Sequence, residues 1–206
     1  MKIGGLLKFT LIDFPGRPAA VIFTQGCNFR CRYCHNPELV YPHMFTEPVA
    51  EEEIDAFLKR RQGTLEGVVV SGGEPTLFDD LPQFLRKLKS MGYAVKLDTN
   101  GTRPDMLKEI IDNKLVDFIA MDLKAPLEKY ALITGVDFNM SIIQQSMDLI
   151  RSAGIGYEFR TTYDKEVLTD ADIEAISQMA GGHYRVQECL PVAKEKAALK
   201  VLHDEL

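Results

Sequence analysis

The sequence predicts an α/β protein built as an open, partial (β/α)6 barrel with a parallel sheet, similar to a TIM barrel that stops short of closure. Short apolar strands alternate with helical patterns along the 206 residues, which favours parallel strands joined by right-handed crossovers. The chain shows six strand–helix units, whereas a closed barrel of this type has eight. Its polar motifs fall at strand C-terminal ends, apart from one arginine within a strand, and barrel enzymes build their active sites at those ends.

The six predicted strands are short apolar runs rich in β-branched residues. They lie near residues 19–24, 67–70, 94–98, 117–122, 157–162 and 183–188. We assign residues 1–206 to a single domain. It comprises an N-terminal segment over residues 1–18, the partial barrel over 19–190 and a C-terminal helix over 191–206.

The predicted helices each carry one apolar face. Residues 80–91 have apolar side chains at i, i+3, i+4 and i+7, namely Leu81, Phe84, Leu85 and Leu88. The same spacing recurs at Ile143, Met147 and Ile150. Thr169 followed by Asp172 predicts a capping box that opens a last helix before the sixth strand.

Composition is that of an ordinary soluble globular protein, because 46% of the residues are apolar and 26% are charged. The formal net charge is −6 with no basic block, so we expect no nucleic-acid partner. No apolar stretch reaches membrane-spanning length and no secretory pattern opens the chain. We therefore expect a cytoplasmic protein without a membrane partner, in a compartment that keeps clustered thiols reduced.

Three of the four cysteines, Cys27, Cys31 and Cys34, form a C-x3-C-x2-C run in a predicted loop after the first strand. An iron–sulfur cluster is normally held by four cysteine thiolates, so a cluster on three keeps one iron open to a small molecule. The spacing therefore favours a working metal centre. Because we place this loop outside the barrel core, we expect Cys31→Ala to abolish cluster binding and to leave the fold largely intact.

Other interpretations remain open. Disulfide bonding would leave one thiol of the run unpaired. A zinc site completed by His35 or His43 is possible, although structural zinc usually recruits two separate ligand pairs. Cys189 is expected to be a small buried apolar residue, with a fourth cluster ligand or a reactive thiol as alternatives. Arg30 and Arg32 are expected to be solvated loop charges, with docking of an acidic electron donor as the alternative.

The stretch Val68–Pro75 leads an apolar β-branched strand into two glycines and an acid. Gly72 and Gly73 let the backbone approach a ligand closely, and Glu74 follows at the C-terminal end of the strand. An ordinary strand–turn–helix junction would have the same pattern. The motif gains weight because it follows the cysteine run by about one strand–helix unit.

Acidic residues also end the next two predicted strands. Asp98 and Thr99 end one strand, and Asp122 ends the next, with Lys124 close behind. The plain alternatives are an Asn-Gly turn and a solvated charged pair. Carboxylate and hydroxyl oxygens are hard ligands, so we expect a monovalent or divalent cation near Asp98 and Asp122. Lys124 would reach a bound cofactor as a point charge.

The residues from Cys27 to Cys34 resemble the signature of the radical S-adenosylmethionine superfamily. The longer stretch from Thr24 to Pro37 resembles activating proteins of glycyl-radical enzymes, above all those of anaerobic ribonucleoside-triphosphate reductase. The N-terminal segment Gly5–Gly16 is also similar to that family, and the similarity extends from residue 3 to about residue 190.

The resemblance implies a [4Fe–4S] cluster on Cys27, Cys31 and Cys34, whose open iron is chelated by the amine and carboxylate of S-adenosylmethionine. An electron from the reduced cluster would cleave the sulfonium C–S bond and leave a 5′-deoxyadenosyl radical, while the protein supplies geometry and excludes water. In the activating proteins that radical removes a hydrogen atom from a glycine Cα. The implied partners are a glycyl-radical enzyme and a reduced flavodoxin- or ferredoxin-type electron donor.

The resemblance also implies roles for cofactor-binding residues in the first half of the chain. Tyr33 matches an aromatic position beside the adenine, whereas packing within the loop is its plain alternative. Gly72, Gly73 and Glu74 match a motif whose backbone and carboxylate hold the cofactor's amino group.

At the later strands, the resemblance places Asp98 and Thr99 near the cofactor's carboxylate, with Asp122 and Lys124 beside them. Arg160 would pair with that carboxylate through its guanidinium fork. Without the resemblance, an arginine within a strand more often points outward into solvent.

Three functions are consistent with these residues. The first is a radical enzyme that activates a glycyl-radical partner. The second is a compact radical enzyme acting on a small molecule, such as 7-carboxy-7-deazaguanine synthase. The third is a non-enzymatic iron–sulfur or zinc protein, in which Cys189 would complete the cluster. We favour the first for two reasons. The sequence shows no cluster of polar residues that would indicate a small-molecule pocket, and an incompletely closed barrel would admit a loop of another protein.

Overall fold

A computed structural model describes residues 1–189, which form one seven-stranded sheet with helices packed on one face. The strands are β1 (Ile3–Thr10), β2 (Ala19–Thr24), β3 (Gly67–Gly72), β4 (Ala94–Thr99), β5 (Phe118–Asp122), β6 (Gly156–Tyr163) and β7 (Tyr184–Glu188). The helices are α1 (Glu51–Arg61), α2 (Leu81–Ser90), α3 (Pro104–Asp112), α4 (Tyr130–Thr134), α5 (Ser141–Ser152) and α6 (Asp170–Ala180). Short 3-10 turns complete several connections.

The six strands β2 to β7 are parallel and follow one another across the sheet in chain order. Within the described residues β1 and β7 are the two edges and do not pair, so the sheet stays open. These features confirm the predicted open partial barrel. The C-terminal helix predicted over 191–206 lies outside the described residues.

The N-terminal segment forms a strand that the sequence reading did not predict. β1 pairs antiparallel with β2, and its register shifts twice along the pairing. Gly4 and Gly5 interrupt the apolar pattern near its start, which explains why the usual strand signal is weak here. The parallel barrel therefore has an additional antiparallel strand at one edge.

Side chains alternate between the two faces of the strands. One set, including Val68 and Val70, joins the apolar core under the helices. The other set faces away from the helices, and its lower part is a small apolar cluster formed by Phe14, Ala19, Val21 and Val69. Phe14 comes from the β1–β2 connection, and a Cβ on Gly67 would lie 2.6 Å from its ring. Phe14 thus closes the floor of the barrel interior.

The predicted helix signals are confirmed. Helix α2 buries Leu81, Phe84, Leu85 and Leu88, and α5 buries Ile143, Met147 and Ile150. At α6 the hydroxyl of Thr169 accepts from the amide of Asp172, whose carboxylate accepts from the amide of Thr169. None of the described helices combines the length and apolarity that a bilayer crossing requires.

Candidate active site

A cavity of about 290 Å³ lies at the C-terminal ends of the parallel strands and extends into the barrel interior. The twelve residues that the sequence analysis favoured for cluster or cofactor binding all line this one space. They are Cys27, Cys31, Tyr33, Cys34, Gly72, Gly73, Glu74, Asp98, Thr99, Asp122, Lys124 and Arg160. The fold therefore brings together motifs from five different strand ends.

The cysteine-bearing loop is part of the core, so the expectation that it lies outside was wrong. Phe29, Cys31 and Tyr33 alternate as buried residues in the main apolar cluster, while Cys27 and Cys34 are partly exposed. Phe29 packs against Tyr130 and Phe138 with ring centroids 6.3 and 5.3 Å away. A substitution at Cys31 will consequently disturb packing as well as any ligand role.

The two arginines of the loop are exposed, as expected of loop charges, and both also contact other parts of the protein. The Arg30 amide donates to the carbonyl of Thr134 over 2.7 Å, and its guanidinium donates to the carbonyl of Cys27 over 2.8 Å. Arg32 forms an ion pair of 3.2 Å with the buried Asp164 and another of 2.9 Å with Glu166. These contacts fasten the loop to the ends of α4 and β6.

The glycine pair packs the β3 end against the chain that precedes the first cysteine. Gly72 has a φ of +120°, a conformation that L side chains rarely adopt. A Cβ on Gly73 would overlap the carbonyl oxygen of Gly26, and one on Gly72 would overlap the backbone of Thr24. The amide of Glu74 donates to Gly26 over 2.8 Å. The close approach that glycine permits here is thus one between two chain segments.

The Glu74 carboxylate is fully engaged inside the protein. It accepts hydrogen bonds from the amide and hydroxyl of Thr76, from the hydroxyl of Thr99 and from the amide of Asn100, at 3.1, 2.5, 2.8 and 2.6 Å. Burial raises the pKa of this carboxyl, and the four donors oppose that rise. The carboxylate therefore ties β3 to β4, so the implied contact between it and a cofactor amine has no support in this geometry.

Deeper in the cavity, carboxylates alternate with cations. Asp98 contacts Lys96 at 2.5 Å and Arg160 at 3.5 Å. Asp122 contacts Arg160 at 3.0 Å and Lys124 at 2.9 Å. Burial alone would raise the pKa of Asp122, but the charges of Arg160 and Lys124 hold it well below its ordinary value. Arg160 thus points inward, as the resemblance implies, and bridges two strand ends.

The predicted inorganic cation stays a prediction, because its expected ligands are two carboxylates and one hydroxyl rather than three acidic, thiol or imidazole groups. Within residues 1–189 no three His, Cys, Asp or Glu side chains are arranged to hold a single metal ion. Protein cations surround Asp98 and Asp122 instead. Lys96, which the sequence reading passed over, supplies one of them, and the i, i+2 spacing of Lys96 and Asp98 on one strand face was the available signal.

A four-iron cluster places a different demand on its ligands, because its thiolates bind different irons. Burial raises the pKa of the Cys27 thiol to about 12, while the Phe29 amide, 3.4 Å from the sulfur, favours the thiolate. The side-chain amide of Asn100 lies 3.9 Å from the same sulfur. Three thiols on one cavity wall, with N–H donors beside them, fit a thiolate-bound cluster.

The Tyr33 hydroxyl is a buried polar atom without a hydrogen-bond partner among the described residues. The residue is 2% exposed and lines the cavity. Burial raises the pKa of this phenol, so it remains a neutral donor. Because buried hydroxyls are normally hydrogen-bonded, this one fits a cavity that receives a polar ligand.

The remaining candidates lie at different distances from the site. His35 lines the cavity, whereas His43 sits on the turn Pro42–Met44 and does not. Cys189 packs against the apolar core and is not among the lining residues. Asn100 and Gln187 line the cavity without having been predicted.

The family model of the radical SAM superfamily matches residues 21–180, more than three quarters of the chain. The chain belongs to the radical SAM superfamily. Membership implies a [4Fe–4S] cluster and S-adenosylmethionine as cofactors, and confirms those two predictions. Its members are enzymes, and the cysteine run, the cavity and the orphaned Tyr33 hydroxyl all fit these groups.

Among curated proteins, the chain is 34% identical to a candidate glycyl-radical enzyme activating enzyme of Methanocaldococcus jannaschii, over 98% of this chain and 82% of that protein. It is also 34% identical to the pyruvate formate-lyase-activating enzyme of Listeria monocytogenes, over 55% of this chain and 49% of that enzyme. A GTP 3′,8-cyclase assigned in Pyrococcus horikoshii is 32% identical over 65% of this chain and 44% of that protein. For these last two, the chain spans less than half of the relative.

Solved structures share the fold at low sequence identity. The chain superposes on anSMEcpe with bound AdoMet at a TM-score of 0.63, with 19% identity, covering 81% of this chain and 50% of that one. This likeness supports the radical SAM fold and extends no further.

Proposed function

We propose that the chain is a radical SAM activase that generates a glycyl radical on a partner enzyme, with anaerobic ribonucleoside-triphosphate reductase as the favoured partner. The observation that carries the proposal is the shared cavity, in which three cysteines and nine further predicted residues line one space inside an unclosed sheet. The relative named as a candidate activating enzyme over nearly the whole chain supports this choice of reaction.

In this proposal Cys27, Cys31 and Cys34 hold the cluster. When bound and reduced, the cluster supplies the electron for cleaving the sulfonium C–S bond of S-adenosylmethionine, which is the source of the radical that takes hydrogen from glycine. The chain itself contributes a fixed loop and a nearby charge. Against the effect of burial, the charge of Lys124 favours the thiolates of Cys27 and Cys31.

The cofactor's polar groups have matching partners in the cavity. The Tyr33 hydroxyl would donate to the nucleoside, and the backbone of Gly72 and Gly73 would meet the amino group. Arg160 has five N–H donors, so its guanidinium can hold Asp98 and Asp122 and still donate to the methionyl carboxylate. Thr99, Asp122 and Lys124 complete the polar wall.

The open side of the barrel offers a route for a protein substrate. Within residues 1–189, β1 and β7 are the edges of the sheet, and Gln187 on β7 lines the cavity, so the cavity extends toward one of these edges. A glycine in an extended loop could enter between those edges without unfolding either protein. A fully closed barrel would leave access only at the C-terminal ends of its strands.

The second candidate, a small-molecule radical enzyme, is favoured by the similarity to a GTP 3′,8-cyclase. Such an enzyme needs polar groups free to read its substrate. Here the deep charged groups are paired with one another, since Lys96, Asp98, Arg160, Asp122 and Lys124 form one chain of contacts. Because these side chains are paired with one another, fewer polar groups are free to bind a small-molecule substrate, which favours a protein substrate.

The test is anaerobic reconstitution with iron and sulfide, followed by mixing with S-adenosylmethionine, a flavodoxin-type reductant and the candidate reductase. We expect cofactor cleavage and a glycine-centred doublet by electron paramagnetic resonance, which is lost when the partner's glycine is changed to alanine. Cleavage without the doublet would favour a small-molecule substrate. Bound zinc without cleavage would favour a non-enzymatic role.

Matched cysteine variants sharpen this test. Cys34→Ser should lose iron and cleavage, whereas Cys189→Ser, outside the lining residues, should retain both. Loss of iron in Cys189→Ser would show that a fourth thiolate closes the cluster and would contradict the proposal. A reducing cytoplasm belongs to the proposal, because clustered thiolates oxidise in other compartments.

A further inference from the structure

Lys96 is a lysine enclosed within the barrel interior. The residue is 1% exposed, and its ammonium lies 2.5 Å from the carboxylate of Asp98. Lysine is almost never fully buried unless it is paired, because the ammonium loses its hydration. The ion pair with Asp98, rather than packing alone, therefore accounts for the burial of the Lys96 ammonium.

The surroundings keep this charge in place. In the sheet register Lys96 lies beside Val69 on β3 and Phe118 on β5, which belong to the apolar floor or pack against it. Apolar neighbours offer the ammonium no alternative acceptor. Asp98 is therefore the group that holds it, and Lys96 in turn holds the charge of Asp98.

Charge balance in the cavity depends on this lysine. Arg160 is shared, at 3.0 Å from Asp122, 3.5 Å from Asp98 and 4.0 Å from Glu158. Lys124 contacts Asp122. Asp98 would be left with the longer contact to a shared arginine and the Ser71 hydroxyl at 3.0 Å if Lys96 were absent. A carboxylate in that position is where the sequence pattern predicted an inorganic cation.

We propose that Lys96 is a built-in counter-cation for Asp98, so that S-adenosylmethionine binding needs no dissociable monovalent or divalent cation. Lys96 acts as a positioning residue through Asp98, which stands beside the expected place of the methionyl carboxylate. The inference deepens the proposed function and rests on it for the cofactor's place in this cavity. It also agrees with the finding that, within residues 1–189, no three His, Cys, Asp or Glu side chains are grouped to hold a metal ion.

The experiment compares reconstituted wild type, Lys96→Met and the control Lys108→Met, whose lysine is exposed on α3. Affinity for S-adenosylmethionine is measured by calorimetry at one ionic strength in tetramethylammonium, potassium, sodium or magnesium chloride. We expect wild type and Lys108→Met to bind equally in all four salts. The affinity of Lys96→Met should fall about tenfold or more in tetramethylammonium and recover in a smaller cation, since the variant leaves the partly buried Asp98 carboxylate without its closest cation.

A second readout does not involve the cofactor. The thermal midpoint of Lys96→Met should rise with potassium or sodium at constant ionic strength, while that of wild type should not. Wild-type affinity that rises about tenfold with an added cation would overturn the inference, as would a Lys96→Met that binds like wild type in every salt. If Lys96→Met does not fold, Lys96→Met/Asp98→Asn removes both charges and should fold without a cation response.

These outcomes separate the two proposals. Wild-type protein that binds no S-adenosylmethionine in any salt would contradict the proposed function. The cation response of the thermal midpoints would then still decide whether Lys96 fills the cation position.

Discussion

The backbone amide of Glu74 donates a 2.8 Å hydrogen bond to the carbonyl oxygen of Gly26, the residue before the first cysteine. This bond joins the C-terminal end of β3 to the start of the cysteine loop. The amide of Gly26 donates in turn to the carbonyl of Leu39, beyond the loop. The cysteine loop and the Gly-Gly-Glu segment are thus one structural unit, and a substitution in either should displace the other.

Gly73→Ala should displace the cysteine loop. The new Cβ would overlap the carbonyl oxygen of Gly26, and backbone cannot yield as a flexible side chain does. We expect a loss of about 1–3 kcal/mol in the free energy of unfolding, as for other overpacked sites. Iron content after reconstitution should fall as well. Gly182→Ala meets nothing within 4 Å and is the matched control; equal iron content in both variants would contradict the prediction.

Glu74→Gln should destabilise the protein although it preserves size. An amide in place of the carboxylate would turn an NH2 group toward at least one of the donors from Thr76, Thr99 and Asn100. We expect a cost of about 1–3 kcal/mol by urea unfolding, because a buried donor is left unsatisfied. Glu158→Gln, whose ion pair is 4.0 Å long, should cost much less.

Arg32→Ala should loosen the loop without removing a thiol. The Arg32 guanidinium forms an ion pair of 3.2 Å with Asp164, whose side chain is fully buried. Removing the guanidinium takes a positive charge away from this buried carboxylate. We expect about 1–2 kcal/mol of destabilisation and faster loss of iron to a chelator. Arg103→Ala removes an exposed pair with Asp105 and should change neither quantity measurably. Identical chelation rates for the two variants would argue against an anchoring role.

Local sequence signals predicted the parts of the fold that depend on local chemistry. β-branched runs such as Val68–Val70 marked the parallel strands, and the Thr169–Asp172 spacing marked the start of α6. Periodicity and motif spacing are enough for the strands and helices, and parallel strands gather at one edge the polar residues that end them. The cofactor-binding roles of Tyr33 and Arg160 came from the family resemblance instead.

Partners distant along the chain were not predictable in the same way. Nothing near Arg32 in sequence points to Asp164, and nothing near Glu74 indicates the two donors that come from Thr99 and Asn100. β1 was missed because it lacks β-branched alternation and is held by pairing with β2. Lys96 was passed over because a strand lysine is usually solvated, and only the closed floor around Phe14 makes it buried.

The capping box of α6 gives a separate stability prediction. Thr169→Ala removes the hydroxyl that accepts from the amide of Asp172, which should cost about 1 kcal/mol in the free energy of unfolding. Thr64→Ala, at an exposed turn position, should have little effect and serves as the control. Two variants of equal stability would show that this helix start does not depend on its cap.

The same box predicts a pH response. Hydrogen bonds from Lys129 and from Thr169 lower the pKa of Asp172 to about 2. Because the pKa in the folded state lies below the ordinary value of about 3.9, the carboxylate stabilises the fold above that pH and loses its contribution as the pH falls. The stability difference between wild type and Asp172→Asn should be constant near neutrality and shrink below about pH 4. A difference that grows on acidification would have the wrong sign.

The last prediction concerns Asn100, whose side-chain amide donates to Asn28 over 2.8 Å and lies 3.9 Å from the sulfur of Cys27. An N–H group directed at a ligand thiolate stabilises the more electron-rich state of a cluster, and such hydrogen bonds are among the factors that set reduction potentials. Asn100→Ala should therefore shift the reduction potential of the bound cluster to more negative values. The shift is measured by potentiometric titration followed by electron paramagnetic resonance.

Asn113→Ala is the control for that measurement, because the Asn113 side chain is exposed and donates to the helix carbonyl of Glu109. Iron content separates the two roles that Asn100 could have. If Asn100 only shapes the loop, its alanine variant should lose iron while the remaining cluster keeps the potential of the control. If it also tunes the sulfur, full iron content should accompany the lowered potential, and a potential equal to that of Asn113→Ala would rule this out.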